Sequence, residues 1–544
     1  MTGLPSAGAE CKRLGVDCRR SWTLKSKIDF VSPPKTIYVT MKTTCTRRTF
    51  LKAATAATTA LGNANFLRGS TAYDPTWDSL AKHPMPGWFA DAKFGIFFHW
   101  GIYTVPAFDS EWYSRNMYLP DHRASEYHKL VYGPPSKFGY KDFIPMFRGE
   151  KFNAEEWALL FRKAGARFAG PVTEHADGFS LWDSKVNEWN AARMGPRRDV
   201  VGELSRAIRN EGMKFLATFH HQWLWGWYPT VDKTLDAGDP KNAGLYGPPA
   251  PGSPFNYHGY RTHPLIPPPQ DFQDIWEAKV KEVIDKYHPD HIYFDSRMEI
   301  IDERRRIDLV AYHYNQAEKL QKEVSLSYKQ DALPADVAIL DLECGRVPGI
   351  AARPWLTDDI IDWTSWCYVQ KPDYKSANRL IGQLIDITSR NGTLLLDINP
   401  AADGVMPEPT VERLLAMGEW LRVNGEAIYG TRPWKVNGEG PTEVKSGEFS
   451  ETKTPELTAS DFRFTSRWKT LYAIACGWPQ DHSEVVIKSL NTNDKLLARG
   501  EIANISLLGS DEKLIWRHDA QGLTLKLPAR KPGEYAYVYK ILLN

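Results

Sequence analysis

The sequence predicts an α/β protein built as a (β/α)8-like barrel of the TIM type, followed by a C-terminal all-β sandwich. Three observations carry this reading. Eight short β-rich runs alternate with amphipathic helical stretches between about residues 88 and 434, the rhythm of strand-then-helix units. Polar and aromatic residues gather where those runs end, which is where such a barrel builds its pocket. Beyond residue 434 the helical pattern stops and short alternating runs punctuated by turn residues take over, as in a sandwich.

The predicted barrel strands cover 94–98, 166–172, 214–219, 291–294, 324–328, 337–342, 361–365 and 393–398. Helical patterns cover 155–164, 200–211, 272–287 and 381–390. Gly212 suits a left-handed C-cap, and Pro289 stops the third helix. A Gly/Thr-rich linker is expected to about residue 458, then strands at 462–465, 470–474, 484–488, 502–507, 514–516, 523–527 and 534–541. The expected domains are a leader over 1–72, a catalytic barrel over 73–434 and a sandwich over 435–544.

The leader carries Thr46-Arg47-Arg48-Thr49-Phe50-Leu51-Lys52, which reads as a twin-arginine export motif. A mild apolar stretch follows from 53 to about 61, too short and too weak to span a bilayer. Met41 is the expected true start, and the folded protein is expected in the periplasm or outside the cell. No other 18-residue apolar run occurs, so no stable membrane anchor is expected.

The chain has 544 residues, 42% apolar and 25% charged, with 68 basic and 66 acidic side chains for a net charge of +2. That is enough for two or three domains, and the charge balance lacks the basic footprint of a nucleic-acid binder. Twenty Trp and 24 Tyr suit the apolar faces of sugars, though a Trp-rich core uses the same residues. The six cysteines are irregularly spaced and suggest neither a metal site nor a disulfide framework.

At the strand ends stand His99-Trp100, Glu174-His175, His220-His221-Gln222-Trp223, Asp295, Glu343, Trp366, and Asp397 with Asn399. Two carboxyls on different strands are what glycoside hydrolysis requires, one to attack or activate water and one to protonate the leaving oxygen. Asp295 directly follows the Tyr293-Phe294 strand, which suits a rigidly held nucleophile. Glu343 follows strand six and leads into Cys344-Gly345-Arg346. Neighbouring side chains on a strand point to opposite faces, so His220 and His221 cannot easily share one ion, and no metal or cofactor is expected.

Several segments then fall into one ordered set: Lys93-Phe94-Gly95-Ile96-Phe97-Phe98-His99-Trp100-Gly101, Glu111-Trp112-Tyr113, His175-Ala176-Asp177-Gly178-Phe179, Arg198-Asp199-Val200-Val201-Gly202-Glu203-Leu204, Tyr293-Phe294-Asp295 and Asn391-Gly392-Thr393-Leu394-Leu395-Leu396. In this the chain resembles the α-L-fucosidases of glycoside hydrolase family 29. The resemblance implies an exo-acting, retaining α-L-fucosidase that needs no cofactor and acts on a fucosylated glycan or polysaccharide. It implies Asp295 as nucleophile and Glu343 as acid/base, with Glu111 and Glu174 as runners-up for the acid. His99, Trp100, His175 and Trp223 match the sugar pocket, and Trp112, His220, His221 and Trp366 complete the candidate binding set. One departure stands out: where the family has two consecutive histidines, the second is Ala176. Either His220 or His221 supplies the missing imidazole, or the pocket takes a related sugar such as an α-L-galactoside. An inactive carbohydrate-binding homologue is the third reading. The Gly- and Pro-rich segment 231–266 either shapes subsites or joins copies in a homo-oligomer.

Overall fold

A computed structural model of the chain describes residues 73–250, 266–479, 483–494 and 496–544. The leader with its twin-arginine motif lies outside the described residues, as do residues 251–265.

Eight parallel strands close a barrel: β1 (Phe94–Phe98), β2 (Phe168–Glu174), β3 (Lys214–Phe219), β4 (His291–Phe294), β5 (Ser325–Lys329), β6 (Ile339–Asp341), β7 (Trp355–Ile360) and β8 (Gly392–Ile398). Closure is direct, with Ile96 of β1 registered on Leu396 of β8 and on Ala169 of β2. Helices α1 (Ala154–Ala164), α2 (Val200–Asn210), α3 (Gln270–Tyr287), α4 (Glu303–Lys319), α5 (Ala377–Ser389) and α6 (Glu408–Asn424) lie among the strands in sequence. Their ends follow local chemistry. The Asn153 side chain accepts from the backbone N–H groups of Glu155 and Glu156 at the start of α1, satisfying donors that have no partner within the helix. Gly212, just past α2, has φ +75°, the conformation a glycine adopts without steric cost.

Two expectations need correction. The seventh strand is Trp355–Ile360 rather than 361–365. Asp358 and Asp359 interrupt its apolar pattern, yet both are buried with partners. The Lys329 Nζ donates to Asp358 at 3.0 Å, while Lys375 Nζ and Gln383 Nε2 donate to Asp359 at 2.6 and 2.7 Å. Residues 361–365 form a turn instead, in which Asp362 Oδ1 accepts from the N–H groups of Thr364 and Asp373.

The second correction is β9 (Arg432–Glu439), which occupies part of the expected linker. It pairs with β10 (Phe462–Arg467) across a register shift between Arg463 and Thr465, and that irregularity hides its alternation. The remaining strands are β11 (Thr470–Ala475), β12 (Glu484–Ile487), β13 (Ile502–Leu507), β14 (Trp516–Asp519), β15 (Gly522–Lys526) and β16 (Tyr537–Leu543). They make a five-stranded sheet ordered β13-β16-β11-β10-β9 and a three-stranded sheet ordered β12-β15-β14. Phe464, Leu471 and Tyr539 from the first pack with Ile487, Leu523 and Leu525 from the second in one core.

The barrel and the C-terminal sheets are joined through Asp386 of α5. Its carboxylate accepts from Arg463 Nε of β10 at 2.5 Å and Arg390 Nε at 3.1 Å, with Arg346 Nε 3.4 Å away. Burial alone would raise the Asp386 carboxyl, but the three guanidiniums hold it below the usual range. Removing one partner of such a network leaves buried charge uncompensated. Asp386→Ala is expected to cost about 3–5 kcal/mol of stability, read from urea unfolding of purified protein. A change within about 0.5 kcal/mol, the range of an ordinary surface substitution, would contradict this account of the junction.

Candidate active site

The C-terminal ends of the barrel strands surround a cavity of about 450 Å³. Its wall includes His99, Glu111, Trp112, His175, His220, Trp223, Asp295, Glu343 and Trp366, nine residues already singled out from the sequence.

Three others from that set lie elsewhere. Trp100 and Glu174 each neighbour a histidine that faces the cavity, and consecutive residues of an extended chain face opposite ways; His221 opens the short 3-10 turn His221–Leu224 that follows His220. Trp100 turns outward, donates Nε1–H to the Ala401 carbonyl at 2.8 Å, and packs its ring 4.9 Å from Phe147 and 5.0 Å from Phe152. Glu174 faces the helix layer, where Lys279 Nζ of α3 and Ser180 Oγ donate to it at 2.6 and 2.5 Å. It is a buried structural ion pair, neither an acid catalyst nor a sugar ligand. His221 hydrogen-bonds the Trp276 carbonyl at 3.2 Å and stacks on that indole. Of the adjacent pair His220 and His221, His220 is the one that lines the cavity. Its ring centre lies 5.1 Å from those of both His99 and His175, and Ala176 itself is buried in the core.

The three inward histidines are held in different ways. His99 Nδ1 bonds Asp397 Oδ1 of β8 at 2.8 Å, and His220 Nδ1 faces Asp295 Oδ2 at 3.5 Å. Neither His175 Nδ1 nor His220 Nε2 has a protein hydrogen-bond partner. Burial lowers all three pKa values, to about 4 for His175 and well below the ordinary value for His99 and His220. The rings are therefore neutral, and each offers one donor and one acceptor. They place one ligand atom each within 4.8 Å of one another, the one such metal-capable group among the described residues. Neutral imidazoles can serve a transition-metal ion or a set of hydroxyls.

The feature not anticipated from the sequence is Lys329, the last residue of β5. Its side chain is 4% exposed. Its ammonium donates to Glu343 Oε2 at 2.6 Å and Asp358 Oδ2 at 3.0 Å, and lies 3.1 Å from Asp295 Oδ1 and 3.8 Å from Asp341 Oδ2. Tyr293 completes the group by donating its hydroxyl to Asp358 at 2.9 Å and Asp341 at 3.2 Å. Burial opposes the charge on Lys329, but Asp358, Glu343, Tyr293 and Asp295 together hold its pKa well above the usual value. Burial, helped by Asp358 and Asp295 and opposed by Lys329, raises Glu343 to about 7. Burial also raises Glu111 to about 8. The signal for Lys329 was its place at a strand end, one residue beyond the predicted strand five. Asp358 was hidden by the misplaced strand seven.

The backbone under Asp295 is equally constrained. Its N–H donates to Phe219 O at 3.1 Å, and Gln222 Nε2 donates to the carbonyls of Asp295 and Ser296 at 2.7 and 2.9 Å. At the mouth, the Arg297 guanidinium lies 4.7 Å over the Trp223 ring, and Glu299, Glu448 and Phe449 complete the rim.

Comparison with known proteins points the same way. Residues 61–426 match the family described as Alpha-L-fucosidase, and residues 455–542 match the Alpha-L-fucosidase C-terminal domain. The tissue alpha-L-fucosidase of Rattus norvegicus is 30% identical over 472 residues, covering 85% of this chain and 90% of that protein. Its Homo sapiens counterpart is 29% identical over 482 residues, covering 86% and 91%. The crystal structure of Thermotoga maritima alpha-fucosidase in complex with fucose superposes with a TM-score of 0.68 at 28% identity, covering 86% of this chain and all of that one.

Lys329 is the only cation within ion-pair distance of Asp295 and Glu343 among the described residues. In Lys329→Met the raised carboxyls of Glu343 and Asp341 lose the cation that now lowers them, so their folded pKa values rise further above the unfolded ones. A carboxyl raised in this way favours folding at low pH and loses that contribution as pH climbs through its folded value. The Tm difference between wild type and Lys329→Met is therefore expected to widen between about pH 4.5 and pH 8, by calorimetry. A gap that is constant or narrows with pH would show that the ammonium does not neutralise this cluster.

Proposed function

The chain belongs to the α-L-fucosidase family and is an exo-acting glycoside hydrolase of terminal α-L-fucosides; we propose that Asp295 is its nucleophile and Glu343 its acid/base, in a double displacement that retains anomeric configuration. The observation that carries this is the shared ammonium of Lys329. It lies 3.1 Å from one Asp295 oxygen and 2.6 Å from one Glu343 oxygen, so those oxygens can be no farther apart than the sum of the two distances. Two carboxyls drawn that close by one cation suit the separation of about 5–5.5 Å of retaining pairs.

In the first step Asp295 attacks the anomeric carbon while Glu343 protonates the departing oxygen. The acid must be protonated in the free enzyme, and burial with a pKa of about 7 favours that form in mildly acidic solution. In the second step water attacks the glycosyl-enzyme. Asp295 is then an ester, so its negative charge no longer raises the Glu343 pKa, and Glu343 can accept the proton from water. Lys329 holds both carboxyls in place through the exchange. His99, His175 and His220 offer neutral donors and acceptors to the sugar hydroxyls, and Trp223 and Trp366 wall its apolar faces. His220 brings a third imidazole to the same wall as His99 and His175, 5.1 Å between ring centres from each.

Asp295→Gly is expected to lose at least about 10³-fold in turnover of an aryl α-L-fucoside, and azide is expected to restore activity by forming a fucosyl azide of inverted configuration. Unchanged turnover in that variant would remove Asp295 from the mechanism. In wild type, kcat/KM is expected to fall as pH rises through about 7, where Glu343 loses its proton. Glu343→Ala should abolish that alkaline limb and slow poor leaving groups far more than good ones. Equal slowing of both would reassign the acid.

A further inference from the structure

The scissile oxygen must face Glu343 for the acid to reach it, so the group being released lies on the Glu343 side of the cavity. The chain that borders Glu343 there comes from the connection between β9 and β10. It meets the acid's own loop at one antiparallel bridge, Arg346 with Gly447, and at two further backbone hydrogen bonds. Arg346 N–H donates to Gly447 O at 3.3 Å, Gly447 N–H to Arg346 O at 2.7 Å, Phe449 N–H to Glu343 O at 2.8 Å and Glu451 N–H to Cys344 O at 3.0 Å. This contact is anchored by Glu451, whose carboxylate is 1% exposed and accepts from Arg346 Nη2 at 2.7 Å and Arg379 Nε at 2.6 Å.

Within this rigid segment Phe449 has two unusual properties. Its φ is +52°, a left-handed conformation that a bulky residue adopts only where the surroundings impose it. Its ring is not used in a core: it is 43% exposed and stands in the same cavity wall as Glu343. A tethered, strained residue thus presents a phenyl face to solvent beside the catalytic acid.

We propose that Phe449 is the stacking platform of a leaving-group subsite that binds a neutral pyranose, the sugar residue to which the fucose is attached. A phenyl ring matches the apolar face of a pyranose. The rest of the cavity wall decides the charge of the occupant: with Glu111 and Glu343 protonated, Asp295, Glu299, Asp358 and Glu448 still outnumber the two basic side chains, Arg297 and Lys329. One of those two, Lys329, is already surrounded by carboxylates. Sugar hydroxyls can donate to such a wall, whereas a uronate or a sulfated sugar would be repelled. The inference rests on the assignment of Glu343 as the acid.

The test compares α-L-fucosyl-(1→2)-D-galactose with α-L-fucosyl fluoride, whose leaving group is too small to reach Phe449. Phe449→Ala is expected to lower kcat/KM on the disaccharide about tenfold, mainly through KM, and to change the fluoride rate by less than about twofold. Phe449→Tyr should return the disaccharide rate to within about twofold of wild type, because it restores the ring. An equal loss on both substrates would assign Phe449 to holding the acid loop and overturn the subsite. An unchanged disaccharide rate in Phe449→Ala would overturn it as well. Wild-type protein that leaves the fluoride intact would overturn the catalytic assignment and this inference together, which separates the two failures.

Discussion

One buried ammonium organises this site. Lys329 is reached by four carboxyls from β4, β6 and β7 or the residues just beyond them, and no two of those acids could stay so close as anions without it. A single positive charge cannot offset four negative ones at these distances, so the cluster must hold protons. The structure shows where: burial and Asp358 push Asp341 well above the usual carboxyl range, and Glu343 rises to about 7. The raised pKa of Glu343 is thus a property of the whole cluster rather than of Glu343 alone. In the proposed double displacement, forming the Asp295 ester would remove one of the charges that hold it up.

Most of the fold was legible in the sequence because the barrel strands are buried and most are largely apolar, and short apolar runs separated by helices are hard to misread. β1, β3 and β4 fall where predicted, and the others are offset by a few residues. The failures share a cause. Strand seven carries Asp358 and Asp359, whose burial is made tolerable only by Lys329, Lys375 and Gln383 from distant parts of the chain. β9 is masked by a register irregularity. Partners supplied from elsewhere in the fold leave no mark on local periodicity.

The site was legible to a similar degree and for related reasons. Clustered polar residues at strand ends marked the region where the cavity lies, since the βα loops of such a barrel gather at that face and build its pockets. Deciding which member of an adjacent pair faces inward needed the register. His99 against Trp100, His175 against Glu174, and His220 against His221 each resolve once one side chain is seen among the helices. Lys329 escaped notice because a lysine at the end of a strand looks like a solvated terminus until its neighbours are known.

The backbone hydrogen bonds between residues 343–346 and 447–451 bear on how this chain can change over time. The loop carrying Glu343 is completed by backbone from the connection between β9 and β10, and Asp386 and Glu451 weld the same seam with arginines from both sides. The C-terminal region is therefore no detachable accessory that recombination could exchange freely between relatives. A transplanted replacement would have to bring its own matching strip, or the proton donor would be left without its outer support. Barrel and sheets are bound to be inherited, and to diverge, as one unit.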